Sequence, residues 1–488
     1  MAIHSTAQHS ELQPVAEGTS PCLCVDLDGT LVRTDTLIES LLAYLRAQPL
    51  RLFRVIGWLF LGKARFKQEL GRVCQLEPST LPYDSRFLDY ITTESQRGRK
   101  LLLVTAADSS IALPVSEHLG LFAQVICSNG SENVSGKAKL AAIRRALGDE
   151  PFSYAGNSRR DLAVWKGAAS AVVVGAGSGV RRAVERSGVA IEKVFPGPGF
   201  SIRALLKEMR IYQWTKNVLV LLPIALGHHL LEWPTVFRGV RAFLAFSLCA
   251  SAIYLLNDLL DLSTDRLHTR KRNRPLAAGQ LSITSAVIGI FVLILGAALL
   301  NPTPDAALLL ALYGVTAIAY SLYLKRLLMI DVIMLAGFYT LRLLYGGTAA
   351  RTGVSIWTLA FSMFMFLSLA LIKRISELRN RTSDEGLSAS GRGYQIADLP
   401  QLTALCAASG CVSALIVILY VRSPDVVSLY SRPQFLLGLF PLLAYWQSRL
   451  LILANRGSIQ EDPILFSLFD RASQAVAVLL FLIVVAAV

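Results

Sequence analysis

The sequence predicts two unlike modules: an α/β domain with a parallel sheet and a small helical cap, followed by an all-α membrane domain of nine transmembrane helices. Two observations lead there. Apolar residues make up 53% of the 488 positions and the mean hydropathy is +0.49, too high for a soluble chain of this length. The apolar residues are also unevenly spread. Up to about residue 200 the chain reads as mixed globular sequence, whereas beyond Trp214 it consists of long hydrophobic stretches with short polar breaks. The domains are placed at 20–195 and 196–488, joined by "FPGPGF" at 195–200, because proline and glycine punctuate local structure.

In the first module, "PCLCVDLDGTLVRTDTL" is an apolar strand pattern running into two aspartates and a Gly-Thr turn, so Asp26 and Asp28 emerge at a strand's carboxyl end. Open α/β sheets place their active sites there. "KLLLVTAAD", "AQVICSN", "FSYAGNSRRD" and "AVVVGA" supply further strands separated by helical patterns, the alternation of a parallel sheet covered on both faces. Cys22 and Cys24 sit in the first strand run, where core packing is the expected role. Residues 36–95 have the length of a helical cap. Within them 50–62 joins bases to large apolar side chains and is too short to cross a bilayer, so it is expected to rest on the lipid interface or the membrane module, or else to be a buried cap helix.

In the second module, nine runs approach the roughly 20 residues that a spanning helix needs, near 214–231, 237–258, 281–300, 305–323, 328–349, 355–373, 401–421, 434–452 and 471–488. Residues 1–24 show no export signal, which predicts a cytosolic amino terminus in an integral inner-membrane protein. The loops after the even-numbered helices are then cytosolic. They carry Arg266, Arg270, Lys271, Arg272 and Arg274, then Lys325 and Arg326, then the bases of 373–392, then Arg456. The net charge of +14 thus falls in loops beside apolar runs, a pattern that points to anionic ligands and argues against nucleic acid. The six histidines form no metal constellation.

The second run ends in "YLLNDLLDLSTDRLHTRKRNRPLAAG". At helical spacing, Asn257, Asp258, Asp261 and Asp265 follow one another by one, three and four residues, which puts the carboxylates on one face at the helix's carboxyl end. That end already carries partial negative charge, so three aspartates there call for a neutralising cation. Hard oxygen ligands favour Mg²⁺, which bridges to diphosphate oxygens. The alternative is a solvated helix end paired with the arginines that follow.

These residues resemble the first aspartate-rich motif of the UbiA superfamily of intramembrane prenyltransferases, which nine helices also fit. "MRIYQWTKNVLVLLP", "YSLYLKRLLMIDVIMLAGFYTLRLLYGG", "IKRISEL", "GRGY" and "EDPILFSLFDRAS" are similar to one branch, the decaprenyl-phosphate phosphoribosyltransferases. The aromatic-prenylating members hold an isoprenyl diphosphate between two aspartate-rich motifs. This chain offers Tyr320, Lys325, Arg326 and a single Asp331 in the second region. One acidic pole facing bases suits phosphoribosyl pyrophosphate, whose diphosphate rides on Mg²⁺ while its 5-phosphate needs cations. The resemblance implies Asp258, Asp261 and Asp265 as the Mg²⁺ face, with Asn257 contacting substrate. Lys216, Arg266, Tyr320, Lys325, Asp331, Arg342, Lys373 and Arg374 are candidates for the phosphates of donor and polyprenyl phosphate acceptor. For each base, a role as topology anchor is the alternative. Arg342 lies in an apolar run where an unpaired charge is costly, and Asp331 is its expected partner.

The first module resembles the haloacid dehalogenase (HAD) phosphatase superfamily over 20–195. The resemblance implies Asp26 as nucleophile, Asp28 as acid/base, Thr105 as the second motif, Lys139 as the third with Lys137 close enough to compete, and Asp26, Asp28 and Asp161 as Mg²⁺ ligands. Asn157 stands where many relatives have aspartate, which lowers the local charge. Together the halves imply transfer of phosphoribose to a polyprenyl phosphate, then removal of the product's 5-phosphate. Isoprenyl transfer to an aromatic acceptor, and a non-catalytic transporter or lipid-binding protein, are the alternatives.

Overall fold

The computed structural model describes residues 21–48, 51–60, 62–74, 76–129, 132–197, 201–380, 393–423, 426, 429–459 and 462–488. The bases at 381–392, the start of "GRGY", Glu461 and positions 198–200 of the expected join lie outside the described residues. The chain divides into two compact units: Met1–Ser201 with Leu260–Ile283, and Ile202–Leu259 with Thr284–Val488. The boundary is therefore not a single cut in the sequence.

The first unit holds a six-stranded parallel sheet, β1 (Cys22–Val25), β2 (Leu101–Asp108), β3 (Gln124–Ser128), β4 (Phe152–Gly156), β5 (Ser170–Val174) and β6 (Ala190–Phe195), in the order β3-β2-β1-β4-β5-β6. Its strands are continuous apolar runs because both faces are covered. Side chains alternate between the faces: Leu23, Val25, Leu101 and Leu103 enter one core, and Cys22, Cys24, Leu102 and Val104 the other. The two cysteines are thus buried free thiols of the core.

Between β1 and β2 come α1 (Thr36–Ala47), α2 (Leu52–Phe60), α3 (Lys63–Val73) and α4 (Ser85–Gln96). The first three share a small core of Tyr44, Val55, Phe66 and Leu70, which makes them the expected cap. Asp35 starts α1 by accepting hydrogen bonds from the amides of Leu37 and Ile38. The remaining helices, α5 (Ser109–Leu119), α6 (Lys137–Leu147), α7 (Leu162–Trp165) and α8 (Ser178–Arg186), connect the later strands. Arg99, buried at the start of β2, bonds to Glu94, Glu192, Ser153 Oγ and the Pro21 carbonyl, and so ties β6 to the far side of the sheet.

The second unit is helical. Among the described residues seven helices are long and apolar enough to cross a membrane: Trp233–Leu260, Ile283–Leu300, Pro304–Leu322, Ile330–Ala350, Ile356–Arg379, Ile396–Val421 and Pro433–Asn455. Pro463–Phe469 and Arg471–Ala487, bent by 85° at their junction, make an eighth if the pair is one span. The junction is Asp470, which caps the second helix through the Ser473 amide and is held by Arg449 at 2.6 and 3.0 Å. The expectation of nine regular spans is corrected at 214–231. That run forms a 3₁₀ stretch, Ile211–Leu221, and a short helix, Leu222–Leu226, that opens on Pro223. The 3₁₀ stretch packs tightly on Ile330–Ala350. A side chain at Gly346 would meet the Val220 carbonyl oxygen at 2.0 Å, so only glycine admits this approach. Small residues, Ala242, Ala245, Ala250 and Ala349, line the core, as close helix packing requires. Phe291, Leu295, Leu308, Val315, Phe481 and their like point outward.

Candidate functional site

The site of the first unit forms where β1, β2 and β4 end together. Val25 pairs with Leu103 on one side and Ala155 on the other, so the next residues of the three strands bring Asp26, Thr105 and Asn157 to one edge. This edge lies where the strand order reverses, at β1 and β4, the position where α/β sheets open a crevice. Asp26 Oδ1 accepts from the Leu27 amide and from Lys139 Nζ, each at 2.9 Å. The same ammonium is 3.8 Å from Asp161 Oδ1 and donates to Tyr154 Oη at 2.8 Å, and Tyr154 donates onward to Asp161 Oδ1 at 2.9 Å. Asp161 Oδ2 accepts from the amides of Asn157 and Ser158 and from Ser158 Oγ. Thr105 Oγ1 is buried and accepts from the Ala107 amide at 3.0 Å, shaping the turn that leads to Asp108 and α5.

Lys139, not Lys137, is the base of this site. Lys137 instead lines an open pocket with Leu140, Ala141, Leu162, Ala163 and Lys166. Asn157 has a second role: at Gly29, where φ is +71°, a Cβ would sit 1.8 Å from Asn157 Nδ2, so the amide fills the space the glycine leaves. Tyr154, which sequence reading passed over, completes the hydrogen-bonded chain; its only signal is a place two residues before Gly156 on β4.

Burial, aided by Asp161 and opposed by Lys139, pushes the Asp26 carboxyl above its usual range. Burial and then Asp35 push Asp28 up to about 7, although it accepts the Thr36 amide at 2.8 Å. Asp26 and Asp161 thus share a single lysine ammonium, with Asp28 two residues on from Asp26, and hard oxygen donors of this kind suit a divalent cation such as Mg²⁺. Among the described residues, however, no three His, Cys, Asp or Glu side chains already stand grouped to hold a metal.

The aspartate-rich motif does not lie on one uninterrupted helical face. The helix stops at Leu260 and a short one, Leu262–Leu267, begins after Asp261. In the membrane unit, Asp258 is buried and bonded by the guanidinium of Arg210, a residue that sequence reading quoted but did not select. Beside it, Asn257 Oδ1 is buried and accepts no hydrogen bond. In the first unit, Asp261 lies 3.3 Å from Arg46 of α1, and buried Asp265 is held by Arg274 with Lys271 at 3.8 Å. Each acid therefore has a basic partner. In the membrane unit the donor chemistry of the Asp258 carboxylate and the orphaned Asn257 carbonyl still fits Mg²⁺.

The other candidates are mostly committed to partners. Arg266 makes a buried two-pronged pair with Glu39 of α1, at 2.7 and 2.9 Å, and bonds the Ala277 carbonyl, all within the first unit. In the membrane unit Lys216 and Lys373 converge on one carboxylate oxygen of Asp462, at 3.0 and 3.2 Å. Burial would raise that carboxyl, but the two lysines outweigh it and hold it at about 2. The expected Asp331–Arg342 pair is corrected: Asp331 takes Arg374 Nε at 2.8 Å and the Tyr394 hydroxyl, because both approach the same buried helix start. Arg342 instead donates to Asn217 Oδ1 at 2.9 Å and the Phe338 carbonyl at 2.7 Å, inside a box formed by the rings of Phe246, Tyr313 and Tyr339. Tyr320 packs edge-on against Phe338, and Lys325 is half-buried in the 3₁₀ turn Leu324–Arg326.

Comparison with known proteins gives the membrane part a lineage. The model of the UbiA prenyltransferase family matches residues 220–467. The uncharacterized protein y4nM of Sinorhizobium fredii is 36% identical over 465 residues, covering 94% of this chain and 89% of that protein. The nodulation protein NoeC of Azorhizobium caulinodans is 33% identical over 54% of this chain and 86% of its own. The decaprenyl-phosphate phosphoribosyltransferase of Mycobacterium tuberculosis is 36% identical over 189 residues, 37% of this chain and 62% of that enzyme.

Proposed function

This chain belongs to the UbiA prenyltransferase family, an integral membrane transferase, and from that premise we propose that it moves phosphoribose from phosphoribosyl pyrophosphate to a polyprenyl phosphate and then removes the 5-phosphate. One observation carries the choice of donor: Asp331, the only carboxylate in the second motif region, is consumed by Arg374 and Tyr394. That leaves one acidic motif in the sequence, Asn257, Asp258, Asp261 and Asp265, where a prenyl diphosphate site would want two. The similarity to decaprenyl-phosphate phosphoribosyltransferases supports the same reading.

Bound Mg²⁺ would supply charge neutralisation for departing pyrophosphate. The chain's own contribution is to bind and orient. The acidic pole takes the diphosphate end, and Lys216 and Lys373, two cations sharing one carboxylate, leave a surplus positive charge for a phosphate. The acceptor is already an anion and needs no base. Its oxygen forms a bond to the ribose anomeric carbon as the bond to pyrophosphate breaks.

In the HAD-like unit, Asp26 attacks the phosphorus of the lipid-linked ribose 5-phosphate and the P–O5 bond breaks, with the C5 alkoxide as leaving group. Asp28, whose carboxyl is raised to about 7, carries the proton that the leaving alkoxide takes. Lys139 holds Asp26 and offsets repulsion between the anions. Water then releases phosphate from Asp26. The amino-terminal unit is assigned to the cytosolic face of the inner membrane, where phosphoribosyl pyrophosphate is made.

The test is turnover by the purified protein with phosphoribosyl pyrophosphate, polyprenyl phosphate and Mg²⁺, with mass analysis of the lipid. Pyrophosphate release should precede phosphate release, and Asp26→Asn should abolish the second alone, leaving lipid phosphoribose. Turnover of a polyprenyl diphosphate with hydroxybenzoate, and none with phosphoribosyl pyrophosphate, overturns the donor assignment.

A further inference from the structure

The cap helix α2 is held by one face and leaves another uncovered. Val55 is buried, and Trp58 packs on Tyr44 with ring centroids 5.3 Å apart, so these two side chains anchor the helix in the cap core. Phe53, Ile56, Leu59 and Phe60 point the other way, with 81%, 44%, 59% and 86% of their surfaces exposed. At 100° per residue they fill a single arc of the helix. The other large apolar side chains exposed among the described residues of this unit, Val73, Leu113 and Leu267, lie apart from one another in the sequence. Leaving four such residues in water on nine positions is a standing cost that a soluble surface ordinarily avoids.

The charge around the face identifies what covers it. From Ser40 to Gln68 the chain carries Arg46, Arg51, Arg54, Lys63, Arg65 and Lys67 and no Asp or Glu. Arg51 just before α2, Arg54 within it and Arg65 on α3 are exposed. A second copy docking by a two-fold contact would set these bases against their own images. An anionic bilayer surface supplies both missing halves, acyl chain for the aromatics and phosphate for the arginines. At about 1.5 Å per residue the helix is far too short to span the hydrocarbon core, so it can only lie along the interface. The chain itself threads a membrane, so such a surface is always at hand.

We propose that α2 is an interfacial docking helix, seated in the anionic headgroup layer through Phe53, Ile56, Leu59 and Phe60, which holds the cap of the soluble unit against the bilayer. This inference does not depend on the reaction assigned above.

The experiment places an environment-sensitive fluorophore at position 60 through Phe60→Cys. The full chain carries Cys411→Ser to remove the exposed native thiol, with the singly substituted Cys411→Ser protein as labelling blank. The protein is reconstituted in nanodiscs of equal parts phosphatidylcholine and phosphatidylglycerol. The expected result is blue-shifted emission quenched by lipids spin-labelled near the headgroup, with neither effect for a label at the exposed position 149 through Asp149→Cys. Quenching should weaken in pure phosphatidylcholine. A parallel label through Phe53→Cys covers the case in which the first variant does not fold. Water-like, unquenched emission from both positions overturns the proposal. So does protection without lipid quenching that grows with protein density, which assigns the face to a second copy.

Discussion

Replacing Glu39 with Gln should loosen a segment more than two hundred positions away in the chain. Glu39 Oε1 and Oε2 take the Arg266 guanidinium at 2.7 and 2.9 Å, with the two side chains 5% and 8% exposed. Gln keeps the shape but removes the charge, leaving a buried guanidinium without its anion. Removing one partner of a buried pair costs about 3–5 kcal/mol. Arg266 retains the Ala277 carbonyl at 3.2 Å and the Thr80 carbonyl at 3.5 Å, so the low end applies, about 3 kcal/mol. At about 1.4 kcal/mol per decade, that is roughly a hundredfold rise in local opening. Hydrogen exchange read by mass spectrometry on the intact protein in nanodiscs should show protection falling by about this factor in peptides covering 260–283 and 36–47. The exchanged pair, Glu39→Arg with Arg266→Glu, should recover part of it. Unchanged protection across 260–283 refutes the reasoning, since the pair would then not be what fixes the segment. The stake is functional: Asp261, gripped by Arg46 of the same helix, and Asp265 ride on that segment, while the helix's first residue donates its amide to Asp28.

Four further outcomes follow from the geometry. Gly29→Ala forces φ +71° on a side chain that meets Asn157, so it should cost about 2 kcal/mol in thermal unfolding and suppress phosphate release while sparing pyrophosphate release. Burial alone would raise the Glu192 carboxyl, but hydrogen bonds from Arg99, Tyr90 and Ser170 hold it at about 2. Its folded pKa is depressed, so its stabilisation is full above the unfolded value of about 4.5 and is lost as pH falls toward 2. Glu192→Gln should therefore lower stability at pH 7 by about 1 kcal/mol, after allowance for its partial exposure, and flatten the loss between pH 5 and 2 in thermal scans. Asp331→Asn strips a fully buried carboxylate from Arg374 and should cost about 3 kcal/mol or more in denaturation of the membrane unit, whereas a smaller effect would mean that Glu377 suffices as partner. Asn257→Leu removes a buried carbonyl that accepts no hydrogen bond, so stability should hold or rise, while the thermal shift given by Mg²⁺ with pyrophosphate should disappear.

Much of the first unit's site was legible because it is local. A continuous apolar run that stops at Asp26, another that stops at Thr105 and a third before Asn157 already place those residues at the ends of parallel strands, and parallel strands end together. Resemblance favours Lys139 over Lys137, but local pattern does not separate them: both lie in the first turn of α6, and burial distinguishes them. The membrane unit was readable as hydropathy but not as pairing. Arg210 meets Asp258 across 48 positions, and Lys216 meets Asp462 across 246, distances over which no periodicity carries information. The departure from a regular helix at 214–231 has the same origin. Its composition is apolar enough for a helix, and its 3₁₀ path accompanies close packing at Gly346, more than a hundred residues on.

These pairings change what the aspartate-rich stretch argues. Three carboxylates near a helix's carboxyl end need neutralising, and spacing alone assigns that task to a metal ion. In the structure Arg210, Arg46 and Arg274 do it, one for each acid. Repulsion is therefore no reason for Mg²⁺ to bind, and the case for the ion passes from charge to ligation. Replacing any of the three aspartates strands a guanidinium, so a loss of activity there mixes ligand loss with ion-pair loss. Asn257 is free of this confusion. Its buried carbonyl oxygen breaks no hydrogen bond when removed, so a fall in cation-dependent binding at unchanged stability reports a lost contact to the bound ion or pyrophosphate and not a broken ion pair.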